Sequence, residues 1–139
     1  MTTTGSGFQG TWRGHYRYDH AEADRIFGAV GFMLVIHEDA NGRFHGIVTD
    51  DVEAGGTPGE GTISGRRRGP RLRWTKLMPH LTLSDGEGRQ YVMPDRPHYP
   101  LAYSGEIDGT ARRASGRWRF KGLRGLFSVK GTWTTERVD

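Results

Sequence analysis

The stretch from Phe32 to Asp50, FMLVIHEDANGRFHGIVTD, decides the fold. Phe32, Leu34 and Ile36 alternate with Met33, Val35 and His37; after Asp39, Asn41 and Gly42, the alternation resumes with Phe44, Gly46, Val48 and Asp50. A period of two on both sides of a turn is the pattern of a β-hairpin with one buried face. A three-residue loop with Gly42 in the left-handed region pairs Asp39 with Arg43 and places both alternating sets on the same face. A two-residue Asn41-Gly42 turn shifts the register by one and sets Phe44 opposite Asp39, breaking that agreement.

Working outward, the same period predicts strands near 9–18, 31–38, 43–50, 60–66, 71–77, 99–107, 115–121 and 126–136, with a shorter pair at 80–84 and 89–93. Only His20 to Phe27 offers a helix, with Asp19 as its candidate N-cap, and the same residues read equally as a polar loop. Glu53 to Gly61 and Asp85 to Gly88 read as loops. Pro94, Pro97 and Pro100 make 94–100 an extended connection. Patterned strands flank every loop, so 1–139 is expected to be one domain, with 1–8 a flexible tail. About eight amphipathic antiparallel strands leave open edges unless they close, which predicts an all-β, up-and-down barrel.

Glycine supports closure. The chain has 22 glycines in 139 residues, about 16%, against a usual ~7%. Gly14, Gly46, Gly65, Gly105 and Gly116 fall on the inward parity, where a missing side chain permits tight coiling or leaves room for a ligand.

Composition excludes several chemistries. With no cysteine, thiol nucleophiles, CxxC redox motifs and Cys-ligated metals are ruled out. The longest apolar stretch, Ile26 to Ile36, is about 11 residues against the ~20 that cross a bilayer, so no membrane partner is expected. MTTTGSG has no signal-peptide pattern, which makes the cytoplasm the expected compartment.

The order of Gly10-Thr11-Trp12, the hairpin, Arg73-Trp74, Tyr103-Ser104-Gly105, Gly116-Arg117-Trp118 and Gly131-Thr132-Trp133 resembles the calycin superfamily, and avidin-like barrels more than lipocalins. The resemblance implies an open-ended cup, with Trp12 as its plug and Trp74, Tyr103 and Trp118 boxing a small ligand. It also implies Gly14, Tyr16, Val48 and Asp50 near the ligand's polar head. Gly14 and Val48 stand where biotin binders carry Asn and Tyr, so the resemblance argues against biotin. Heme-binding barrels of the nitrobindin type open similarly, but the last strand here has no histidine to serve as an axial ligand.

The expected ligand site is Tyr16, Tyr18, Asp50, Trp74, Lys76, Tyr99, Tyr103 and Trp118, with Asp50, Lys76 and Tyr103 as catalytic candidates. A buried carboxylate and ammonium must pair, meet a ligand or reach water, and the alternative is that both lie on the solvated rim. These residues suit a mostly apolar small molecule with a polar head, or an acid–base enzyme of the cyclase or isomerase type in the same cavity. No cofactor is expected. His37 and His45 face each other on the outer side of the hairpin without an evident third ligand, so no metal is expected either.

The arginine-rich set Arg66, Arg67, Arg68, Arg71, Arg73, Arg112, Arg113, Arg117 and Arg119 suggests a nucleic-acid or protein interaction module as a further alternative. Sixteen acidic residues are interspersed along the chain, so this surface reads as solvated and nucleic acid is not the expected partner. Met33, Val35, Ile47 and Leu126 on the outward parity predict a face for self-association.

Overall fold

The structure, a computed structural model, describes residues 7–84, 90–122, 125 and 127–139. In chain order the elements are β1 (Gly10–Tyr18), α1 (Ala21–Phe27), β2 (Val30–Glu38), β3 (Arg43–Asp50), β4 (Glu60–Arg68), β5 (Arg71–Leu77), β6 (Leu81–Ser84), β7 (Gln90–Met93), β8 (Leu101–Ile107), β9 (Arg113–Gly122) and β10 (Phe127–Arg137). Eight of these strands close a barrel in the order β1-β10-β9-β8-β5-β4-β3-β2, and β6 pairs with β7 as a separate two-stranded sheet. Every pairing is antiparallel. Closure pairs β1 with β10, so no barrel strand is left with a free edge.

The hairpin adopts the three-residue loop. Gly42 lies at φ 82°, the Asp39 N–H donates to the Arg43 carbonyl at 2.8 Å, and Leu34 lies opposite Val48. A carboxylate oxygen of Asp39 also accepts from the Asn41 and Arg43 N–H groups, holding the loop from inside.

The helix forms, but Asp19 does not cap it. His20 holds the N-cap position with no side-chain bond, while the Asp19 carboxylate takes Arg117 from β9. The expected strand at 99–107 begins only at Leu101, because Pro100 has no N–H to donate to a ladder. The loop at 85–88, Leu126 and residues 1–6 of the expected tail lie outside the described residues.

Phe8, assigned in sequence to that tail, belongs to the core. Its side chain is fully buried, stacks on Trp74 with ring centroids 5.4 Å apart, and contacts Trp12 and Phe44. The Phe8 carbonyl accepts the Trp12 indole N–H at 2.9 Å, and its own N–H donates to Glu38 at 2.8 Å. Arg137 completes this closed end from the other terminus: its guanidinium lies over the Trp12 ring at 4.5 Å and donates to the carbonyls of Gly7, Gln9 and Ala111.

The inward glycines serve coiling. A Cβ on Gly131 would fall 1.8 Å from the Arg17 carbonyl and 2.7 Å from the Trp118 ring; one on Gly105 would fall 2.1 Å from the Ser115 carbonyl and 2.6 Å from Trp133. Neighbouring strands and indoles take the space that a ligand would need. Among the described residues no helix is long and apolar enough to cross a membrane.

Candidate functional site

The middle of the barrel is filled. Trp74 stacks on Tyr103 at 5.0 Å and meets Trp133 edge-on at 4.8 Å. The Trp133 indole N–H is shared by the Ser104 and Arg117 carbonyls, both at 3.1 Å, and that of Trp118 by the Arg17 and Thr132 carbonyls. Glycines on the adjoining strands let these rings approach the backbone closely, so the indole donors of Trp118 and Trp133 are spent on the barrel itself. The open cup implied by the resemblance is therefore closed through its centre.

Polar groups collect at the opposite end from Phe8. β3 ends in Asp50 and β5 places Lys76 on the same inward parity, with Lys76 Nζ 2.8 Å from Asp50 Oδ1 and side-chain exposures of 4% and 1%. Both groups are inside, not on the rim. Asp50 Oδ2 accepts from the Thr57 N–H at 3.4 Å, and the ammonium lies over Tyr16 at 5.1 Å and Tyr103 at 5.8 Å. Among the described residues Asp50 is the only hydrogen-bond acceptor that Lys76 meets, leaving donor capacity on a buried cation.

This pair borders a cavity of about 30 Å³, room for a water molecule. The structure brings six of the expected site residues, Tyr16, Tyr18, Asp50, Lys76, Tyr103 and Trp118, together around it. Trp74 lies beneath, in the packed layer. Tyr99 does not line the cavity: it precedes the strand that was to aim it inward, and it stacks on Phe120 at 6.1 Å. Its neighbour His98 lines the cavity instead, with Thr57, Met78, Leu101 and Phe120. Thr57, Met78 and His98 lie outside the barrel strands, beyond the reach of strand periodicity; only the alternation through Leu101 and Phe120 marks those two.

Burial sets the protonation of the phenols. Desolvation first, then the Asp50 carboxylate, raises Tyr16 and Tyr103 well above the ordinary phenol value, and burial pushes Tyr18 up to about 12. All three remain donors at neutral pH. Burial, aided by the Lys76 charge, lowers His98 and keeps its imidazole neutral; its Nδ1 lies 2.9 Å from the Tyr99 carbonyl. The nook thus offers hydroxyl and ammonium donors around one carboxylate.

Half-buried Tyr18, Phe27 and Phe120, bridged by the buried Trp118, form a collar above it. Phe27 of α1 meets Tyr18 at 5.5 Å, Tyr18 meets Trp118 at 5.3 Å, and Trp118 meets Phe120 at 6.4 Å. No family model, characterised protein or solved structure matches this chain. The calycin resemblance therefore stands on the sequence motifs, and the functional reading stands on the geometry of this end of the barrel.

Proposed function

We propose that the chain is a small-molecule-binding barrel whose ligand places a hydrogen-bond-accepting head against Lys76 and its mostly apolar body against the collar of Tyr18, Phe27 and Phe120. The observation that carries this reading is the buried Lys76–Asp50 pair with donor capacity facing a cavity. Removing two charges from water costs several kcal/mol per ion, and apolar side chains of similar volume commonly serve stability as well or better. A carbonyl or carboxylate oxygen would meet the free ammonium donors and the tyrosine hydroxyls. The cavity of about 30 Å³ admits only such a head, which is why the body is assigned to the collar.

Native mass spectrometry of freshly purified protein, joined to titration with aryl and alkyl carboxylates followed by tryptophan fluorescence, tests this. The wild type is expected to carry or take up such a molecule. Asp50→Asn/Lys76→Met, which strands neither charge, is expected to fold and to bind at least tenfold more weakly. Equal binding by the folded double variant, or no binding by either protein, would overturn the reading. An acid–base enzyme in the same nook is the second reading, favoured by protonated phenols beside a carboxylate; conversion of the bound molecule, rather than its retention, distinguishes it.

A further inference from the structure

The outer wall carries a second, independent feature. Through the strand registers, Arg43, Arg66, Arg73, Ser104 and Arg117 form one row across β3, β4, β5, β8 and β9. The adjoining row runs Ser64, Thr75, Ala102, Arg119 and Lys130 across β4, β5, β8, β9 and β10. All ten side chains are exposed. From β4 to β10 the two rows border a surface cleft of about 750 Å³ into which no carboxylate projects.

Outside the cleft some cations pair with acids, Arg17 with Asp24, Arg25 with Glu22, Arg67 with Glu38 and Arg113 with Glu136, while among the described residues Arg13, Arg68, Arg71, Arg96, Arg112 and Lys121 stand singly. Among the described residues Arg66, Arg73, Arg119 and Lys130 have no ion-pair partner. They are also placed against each other, Arg66 directly opposite Arg73 and Arg119 directly opposite Lys130. Directly opposed like charges destabilise a sheet. Arg117 shares its guanidinium with Asp19 at the margin, and Glu106 faces Arg71 one row away, so acids stop at the border. Acids interspersed along the chain are thus set apart in space from these two exposed rows.

We infer that this cleft binds the phosphodiester backbone of a nucleic acid by charge, without reading its bases. The row from Arg43 to Arg117 spans about 19 Å at the ~4.8 Å strand spacing, long enough to follow several phosphates at ~3.4 Å of axis each. The Thr75 and Ser104 hydroxyls between the cationic ends are suitable phosphate donors. Stacking is not available: the Trp74 and Trp118 rings lie inside the barrel, 4% and 2% exposed, and no other aromatic projects from these two rows. The site lies on the outer face and does not depend on the nook.

The test is fluorescence anisotropy with a labelled oligothymidylate 20-mer and a 20-base-pair duplex across a salt series. The intact chain is expected to bind both, with a log–log salt slope near −3 for the single strand, as about four phosphate contacts require. Arg66→Gln/Arg73→Gln and Arg119→Gln/Lys130→Gln are each expected to weaken binding roughly tenfold and flatten the slope by about 1.4, at ~0.7 per lost contact. Arg13→Gln/Arg96→Gln, with the same change in net charge away from the cleft, is expected to stay within twofold. Equal losses in the control and cleft variants would overturn the inference. So would equal binding of poly-glutamate, which would indicate an acidic protein, or displacement of the oligomer by tripolyphosphate at equal phosphate concentration, which would indicate a free polyphosphate.

Discussion

At the scale of single residues, Asp50 and Lys76 were legible because strand parity is strict: a charge on the apolar side must be paired, liganded or wet. Parity could not choose among these, since the choice depends on how many layers of β5 and β3 lie below the rim. His98 was not legible, because it enters from a proline-rich connection with no period. Its burial carries a testable consequence. A histidine whose folded pKa is lowered takes up its proton more readily in the unfolded chain, so its contribution to stability is complete above the unfolded value of about 6.5 and is lost as pH falls from there toward the folded pKa. Imidazole NMR titration is expected to place the His98 midpoint below 6.5. His98→Gln is expected to reduce the loss of stability between pH 7 and pH 5, measured by urea unfolding. A midpoint at or above 6.5 would refute this account.

Among the elements, the strands and the hairpin register were legible, and the meaning of the glycines was only half so. The alternating pattern showed that Gly105 faces inward but not whether a ligand or a neighbouring chain fills the missing side chain, because that depends on shear between strands distant in sequence. The structure fills it with backbone and indole, so a methyl group there has nowhere to go. Gly131→Ala drives a Cβ to 1.8 Å from a carbonyl oxygen, a collision with a strand that cannot move without opening the barrel. The expected cost is about 3 kcal/mol, at the upper end of ordinary overpacking. Gly109, by contrast, has nothing within 4 Å of an added Cβ, so Gly109→Ala is expected to lie within about 0.5 kcal/mol of wild type. Urea midpoints of the two variants measure the contrast. Similar midpoints would mean that the coiling at Gly131 is looser than described.

Over the whole molecule, the two ends of the barrel are built from different groups. Phe8, Trp12 and Arg137 close one end and join the chain's termini; Asp50, Lys76 and the tyrosines occupy the other. Sequence reading assigned Trp12 to the plug but missed Arg137, since a lone arginine on the apolar parity of a last strand gives no sign that three backbone carbonyls await it. Arg137→Ala leaves those carbonyls of Gly7, Gln9 and Ala111 without their donor and uncovers the face of Trp12. Stranded buried acceptors cost about 1–3 kcal/mol each, and some of these will regain water at the barrel end, so a loss of about 3 kcal/mol is expected. Arg137→Lys is expected to recover little, because one ammonium cannot reproduce the planar fork that reaches three carbonyls. Denaturant unfolding measures both losses. If the ends are separate, Arg137→Ala lowers stability but leaves carboxylate affinity per folded molecule unchanged, whereas Asp50→Asn/Lys76→Met lowers affinity while the barrel persists. A parallel loss of affinity in Arg137→Ala would show that the filled centre, Phe8 on Trp74 and Trp74 on Tyr103, transmits strain from plug to nook, and would refute that division.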